Sequence, residues 1–213
     1  MASKGLFITF EGSEGSGKST QIRRVSALFH TLGREVLTLR EPGGTLIGER
    51  IRNLLQFDKS VEGMTPKSEL LLFAASRAQL VGEVISPALE RGAVVLCDRF
   101  VDSTTVYQGV ARALDRREVA TINDFAAGGI LPDLTLLLDL DAEVGRQRAC
   151  LRVGPDDRME QEGSEFYEAV RCGYLELARN NPHRFAIIDA MGNEDVVEAS
   201  IIAVLKERCH GIF

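Results

Sequence analysis

Residues 5–19 read GLFITFEGSEGSGKS, and this stretch decides the fold. Gly5–Phe10 is a short apolar run rich in β-branched and aromatic residues, the length of one strand. Gly12, Gly17, Lys18 and Ser19 follow it in the pattern G-x-x-x-x-G-K-[ST] without a mismatch. Glycines let backbone N–H groups converge on phosphate oxygens, and a helix starting near Ser19 adds its positive N-terminal end. Ile22, Val25, Leu28, Phe29 and Leu32 lie at helical spacing, and Gly33 suits the C-terminal cap. The stretch therefore reads as strand, phosphate loop and helix. It predicts a nucleoside triphosphate on Gly12, Ser13, Glu14, Gly15, Ser16, Gly17, Lys18, Ser19 and Thr20. Lys18 would reach the β and γ phosphates and Ser19 would ligate Mg²⁺. One residue is out of character: Glu14 puts a carboxylate in the middle of an anion site.

Outward from this loop, strand and helix patterns alternate. Strands are expected at 5–10, 35–40, 92–98, 132–140 and 184–189. Helices are expected from Ser19, at 46–55, from Pro66 toward residue 90, and at 117–127, 142–152, 164–180 and 194–208. Thr65-Pro66 offers an N-cap followed by proline at the first helical position. GAVVLCD (92–98) is continuous and apolar, as in a strand covered on both faces. The expectation is an α/β, three-layer domain over residues 1–213, with a five-stranded parallel sheet flanked by helices. Ligands in such sheets bind beyond the carboxyl ends of the strands. The informative residues should therefore follow positions 10, 40, 98, 140 and 189.

At 213 residues the chain is long enough to bury a substantial core. Its longest apolar runs are strand-sized, well short of the roughly 20 residues of a membrane span. MASKGLF lacks the apolar segment of a secretory leader. Cys97, Cys150, Cys172 and Cys209 form no C-x-x-C pair and read as reduced thiols. A cytoplasmic protein without a membrane partner is expected. With 31 acidic residues against 25 Lys and Arg, the net charge of −6 argues against binding a nucleic-acid polymer.

Asp98-Arg99 follows the buried strand directly, at the sheet edge that carries the phosphate loop. An acid there can organise Mg²⁺, and a guanidinium can grip phosphate with two parallel donors; the two also suit a surface ion pair. In DSTTVYQG, Ser103, Thr104, Tyr107 and Gln108 bring hydroxyls, a ring and an amide within two helical turns. That set can read a base and its sugar, or simply start a polar helix. Phe73 and Arg77 are four apart, hence on one helix face. Phenyl stacking with guanidinium donation to a base is one reading, core packing beside a solvated charge the other. Asp124-Phe-Ala-Ala-Gly128 fits the D-x-x-G switch of GTPases but lies in a helical pattern, and no N-K-x-D guanine reader is present.

FEGSEGSGKST, LREPGGT, FAASRAQL, LCDRF, DSTTVYQG, LPDLTLLLDL and DRMEQE, in this order, resemble the bacterial thymidylate kinase family across nearly the whole chain. The resemblance implies a P-loop fold and transfer of the γ-phosphoryl group of ATP to dTMP, giving dTDP, with Mg²⁺. It implies that Phe73 stacks on thymine and Arg77 donates to a thymine carbonyl, with Thr104 and Gln108 lining the base site and Ser103 in support. Tyr107 would lie against the deoxyribose, Arg99 and Arg52 would hold the acceptor phosphate, and Glu14 would accept the sugar 3′-hydroxyl. Ser19 and Asp98 would serve the metal. A short mobile lid would cover about 152–164, RVGPDDRMEQEGS, although that composition equally suits a plain solvated loop. Gly15-Ser16 leaves no arginine inside the loop, so Arg158, with Arg152 second, would supply the catalytic lid charge and join Lys18, Arg99 and Glu14. The family also implies a homodimer using the helix near 67–90. Two other readings share these residues: a kinase for a different nucleotide or deoxynucleoside acceptor, and a slow P-loop regulatory module.

Overall fold

Leu6–Glu11 forms β1, the middle strand of the sheet, with all six residues buried. The computed structural model describes residues 5–58, 63–150 and 163–209. Around β1 lie β2 (Val36–Arg40), β3 (Val94–Asp98), β4 (Leu134–Asp139) and β5 (Phe185–Asp189), all parallel, in the order β2-β3-β1-β4-β5. The expected α/β sheet of five parallel strands is present, each strand starting one or two residues later than its apolar run. In the register of β1 on β3, Phe10 pairs with Asp98. The phosphate loop after β1 and Arg99 after β3 therefore leave the sheet side by side.

The helices are α1 (Lys18–Thr31), α2 (Leu46–Gln56), α3 (Pro66–Leu80), α4 (Ser86–Glu90), α5 (Val101–Thr104), α6 (Arg116–Ala127), α7 (Ala142–Cys150), α8 (Ser164–Asn180) and α9 (Glu194–Arg208). Thr65 caps α3 by accepting from the Ser68 N–H at 3.2 Å, as its sequence position suggested. The single helix expected from Pro66 toward 90 is divided by a π-helical turn, Val81–Ile85, just before Pro87. Proline brings no N–H and crowds the carbonyl four residues back, and one wide turn relieves both. Likewise α5 continues into a π-helical stretch, Thr105–Ala111, which carries Tyr107 and Gln108. Asp124 sits inside α6 and Gly128 is its left-handed C-cap, so D-x-x-G here is a helix ending.

Strand alternation divides the core between the two faces of the sheet. Ile8, Phe10, Leu96, Leu136 and Leu138 pack on Ile22, Val25 and Phe29 of α1 and on Val197, Ile201 and Leu205 of α9. On the opposite face Phe7, Val95 and Cys97 meet Leu80, Ile85 and Ala88, while Leu137 and Phe185 meet Val170 and Tyr174 of α8. Among the described residues no helix is long and apolar enough to cross a membrane.

A polar seam ties this second face together. Arg184 donates to both oxygens of Asp102 (2.6 and 2.8 Å) and to Thr135 Oγ1 at 2.8 Å, and Thr135 meets Thr9 at 2.9 Å. Asp102 is almost fully buried, so losing the guanidinium would strand a carboxylate without a counterion. Arg184→Met is therefore expected to lower the unfolding free energy by about 3 kcal/mol, read as a reduced denaturation midpoint at unchanged m-value.

Candidate active site

The chain leaves β1 at Gly12, whose φ is +133° and whose Cβ, were there one, would lie 2.5 Å from the Leu138 carbonyl oxygen. Gly17, at φ +90°, caps α1 without a side chain and leaves the first-turn N–H groups for an anion. Lys18 is buried, and its ammonium donates to the carbonyls of Gly12 (3.0 Å) and Ser13 (2.8 Å). Burial, helped by the Arg99 charge, pushes its pKa down to about 8. Ser16 Oγ closes the loop on the Ser13 carbonyl at 2.9 Å. Ser19 Oγ donates to Asp98 Oδ2 at 2.9 Å, which brings the two expected metal residues together. Among the described residues no cluster of three His, Cys, Asp or Glu side chains could hold a metal alone. Beside the loop a cavity of about 390 Å³ is bounded by Gly15, Ser16, Gly17 and Thr20 on one side. Arg148 and the Ala190–Glu194 region form its other side.

Arg99 follows β3 in the left-handed region, φ +71°, unusual for a residue with a side chain. Its N–H donates to the Phe10 carbonyl at 3.0 Å, which fixes the turn against β1. The guanidinium donates to Glu14 Oε1 at 2.8 Å, to Ser103 Oγ at 3.1 Å and to Tyr174 OH at 3.2 Å. It also lies 4.9 Å from the Tyr107 ring centroid. The Tyr107 hydroxyl donates to both Glu14 oxygens at 2.9 Å. Burial pushes this phenol well above its usual range, which keeps the proton in place for that bond. Glu14 thus turns its carboxylate away from the phosphate loop, toward Arg99 and Tyr107.

Behind this pair opens a second cavity, walled by Phe73 and Phe100 and lined by Arg77, Ser103, Thr104 and Gln108. Arg77, expected to share a face with Phe73, is almost completely buried. It pairs with Glu41 at 2.7 Å, and Nη1 donates to Asn123 Oδ1 at 2.8 Å. Its Nη2 donates to Thr104 Oγ1 at 2.9 Å and to the Phe100 carbonyl at 3.1 Å. The solvated-charge reading of Arg77 is therefore wrong. Gln108 donates through Nε2 to Glu69 at 2.8 Å. Glu41 Oε1 and Gln56 Oε1 are buried without a hydrogen-bond partner, and both residues line this cavity. Burial raises the Glu41 pKa, against the pull of Arg77.

Glu11, the last residue of β1, lies beneath both compartments with no exposure. It accepts from the Phe100 N–H at 2.8 Å, Ser103 Oγ at 2.6 Å and Tyr174 OH at 2.7 Å. Burial and the charge of Asp102 push its pKa up to about 7, while Arg99 and these donors pull the other way.

The structure thus brings Glu14, Phe73, Arg77, Arg99, Ser103, Thr104, Tyr107 and Gln108 onto one cavity. Arg52 does not line it; its Nη1 donates at 3.0 Å to the carbonyl of Pro42, which does. Arg152, Arg158 and nearly all of the 152–164 segment lie outside the described residues. Arg148 belongs to α7 and donates to the Ala190 carbonyl at 3.1 Å. Sequence reasoning missed Glu11, Glu41, Gln56, Glu69, Asn123 and Tyr174. Glu11 carried a visible signal, a carboxylate directly after the apolar run of β1; Glu69 was masked by its place in a first helical turn, where acids are ordinary.

A family model described as thymidylate kinase matches residues 10–201. The thymidylate kinase of Geobacter sulfurreducens is 53% identical over 205 residues, 94% of each chain. That of Deinococcus radiodurans is 50% identical over 208 residues, 98% of this chain and 100% of the relative. A crystal structure of thymidylate kinase from Ehrlichia chaffeensis superposes with a TM-score of 0.79 at 34% identity, covering 95% of this chain and 100% of that one. The chain belongs to the thymidylate kinase family, whose members are ATP-dependent nucleoside monophosphate kinases.

Because folding raises the Glu11 pKa above its unfolded value, protonation favours the fold, and this contribution is lost as pH rises through about 7. Between pH 6 and 8 the unfolding free energy should fall by about 1 kcal/mol more in the wild type than in Glu11→Gln. Chemical denaturation at the two pH values measures the difference.

Proposed function

We propose that the site transfers the γ-phosphoryl group of ATP to dTMP, with the phosphate loop as donor cradle and the cavity behind Phe73 and Arg77 as acceptor site. The observation that carries this reading is the Glu14–Arg99–Tyr107 contact set, which joins the loop to the cavity wall. ATP would lay its phosphates on the N–H groups of Gly12–Ser19, and Lys18 would exchange the Gly12 and Ser13 carbonyls for phosphate oxygens. The larger cavity between Gly15–Gly17 and the Ala190–Glu194 region is the place for the adenosine.

On the acceptor side Phe73 stacks on the base and Arg77 donates to a thymine carbonyl. Tyr107 fills the position of a 2′-hydroxyl, and Glu14 accepts from the 3′-hydroxyl. Arg99 holds the acceptor phosphate. The dTMP phosphate is already ionised near neutral pH, so positioning and charge neutralisation do the work and no strong base is needed. Arg158 is our candidate for the added lid charge, and Arg52, behind Pro42, a lesser contributor at the acceptor phosphate.

Ser19 Oγ and Asp98 Oδ2 fit a hydrated Mg²⁺, which takes few protein oxygens and keeps its waters and phosphate ligands. When bound, the ion would neutralise charge on the phosphates. We also assign a cytoplasmic homodimer, with the contact on α3 and α6, where Leu71 is 57% exposed beside Ile122 and Leu114. Light scattering at twice the chain mass is expected; a monomeric mass would remove the assignment.

An ADP-release assay across dTMP, dUMP, dCMP, AMP and thymidine tests the whole reading. dTMP should be the preferred acceptor, and equal turnover of AMP or thymidine would overturn that choice. In the same assay Glu14→Gln should lower kcat/KM for dTMP at least tenfold, about 1.4 kcal/mol, while KM for ATP stays within about threefold.

A further inference from the structure

Gln108 lines the acceptor cavity and is only 1% exposed, so the end of its amide that faces the base is fixed by what holds the other end. That partner is Glu69, in the first turn of α3, itself 1% exposed. Gln108 Nε2 lies 2.8 Å from Glu69 Oε1. A carboxylate accepts and never donates, whereas a glutamine amide has one end of each kind. The contact is therefore satisfied only with the NH₂ group turned toward Glu69. The carbonyl oxygen then faces the cavity, and among the described residues nothing donates to it. Arg112 Nε, 3.4 Å from the same Glu69 oxygen, supplies positive charge beside the carboxylate without reaching the cavity wall.

The geometry points to Glu69 as a specificity-determining positioning residue: it sets the Gln108 amide so that the acceptor pocket presents a hydrogen-bond acceptor to the base. Thymine and uracil carry a donor, N3–H, between two carbonyls. Cytosine carries an acceptor at N3 and an amine at C4. An amide held with its oxygen inward accepts from the first pair and opposes the second, because a buried acceptor facing another acceptor is left without its hydrogen bond. Arg77 complements this choice from another wall. Its donors are held in place by Glu41, Asn123 and Thr104 and need an oxygen on the base. Glu69 reads nothing itself; it turns a two-faced amide into a one-faced reader.

This inference rests on dTMP being the acceptor, and its test separates the two. Glu69→Met keeps the length of the side chain and removes its acceptor, which frees the Gln108 amide to flip. The ratio of kcat/KM for dTMP to that for dCMP should fall at least tenfold, with KM for ATP within about threefold of wild type. Glu69→Gln retains a carbonyl to accept the NH₂ group and should hold the ratio within about threefold of wild type. A merely structural role would lower both rates together and leave the ratio where it was. An unchanged ratio in Glu69→Met, or an equal fall in both variants, overturns the inference while dTMP turnover by the wild type still stands. A wild type that does not use dTMP removes the underlying reading instead. Should Glu69→Met fail to fold, a crystal structure of the wild type with dTMP decides. The Gln108–Glu69 contact must persist within about 3.2 Å with the opposite end of the amide on N3. An amide that has left Glu69 to meet the base overturns the inference.

Discussion

Arg99 is where the phosphate loop and the cavity behind it are joined. Its backbone, in the left-handed region at φ +71°, is pinned to β1 through the Phe10 carbonyl. Its guanidinium meets Glu14 from the phosphate loop, Ser103 from α5 and Tyr174 from α8. Only the β1–β3 pairing makes this possible. With Phe10 opposite Asp98, the residue after β3 emerges within reach of the loop after β1. A one-residue slip in that register would turn every side chain to the other face and part the two groups. Left-handed backbone at a non-glycine residue costs on the order of 1–3 kcal/mol, and the contacts around Arg99 hold it there.

The cavity behind Arg99 is built from charges that stability alone would not require. Glu41 and Arg77 pair at 2.7 Å with almost no exposure, and Glu11 ends a strand with none. Buried pairs of this kind seldom beat a well-packed apolar substitute in stability, but they fix geometry that apolar side chains cannot. Arg77 shows what that geometry is for. With Glu41, Asn123, Thr104 and the Phe100 carbonyl around it, the guanidinium has one position only. A ligand atom arriving in the cavity therefore meets a donor whose ordering is complete before binding.

Much of this was legible in the chain itself. The strands announced themselves because parallel strands covered on both faces are nearly unbroken apolar runs, as VVLC in β3 shows. The phosphate loop was legible because its backbone geometry can be met by so few residues. Phe73 and Arg77 could be placed on one helix face but not in a cavity, since helical spacing does not say what lies opposite. Glu69 and Asn123 were invisible for a related reason. Their partners lie 39 and 46 positions away in the chain, and nothing local distinguishes them from ordinary helix acids and amides. The division of the long helix at Val81–Ile85 shows the same limit, since the apolar pattern reads as one helix across Pro87 and gives no sign of the wide turn before it.

The carboxylate in the phosphate loop can now be understood through what each charge touches when no ligand is present. Lys18 is satisfied by the Gly12 and Ser13 carbonyls, and Glu14 by Arg99 and Tyr107. Neither ion waits bare in a low-dielectric cleft, where an unmatched group would cost several kcal/mol. Ligand binding then exchanges one set of partners for another. Under the proposed roles, phosphate oxygens would replace carbonyls at Lys18, and a sugar hydroxyl would take up acceptor capacity at Glu14 as Arg99 turned to phosphate. The two charges stay apart because Glu14 is directed out of the loop while Lys18 is folded into it. An acid in the loop therefore need not weaken the anion site: its negative charge is directed out of the loop, at Arg99.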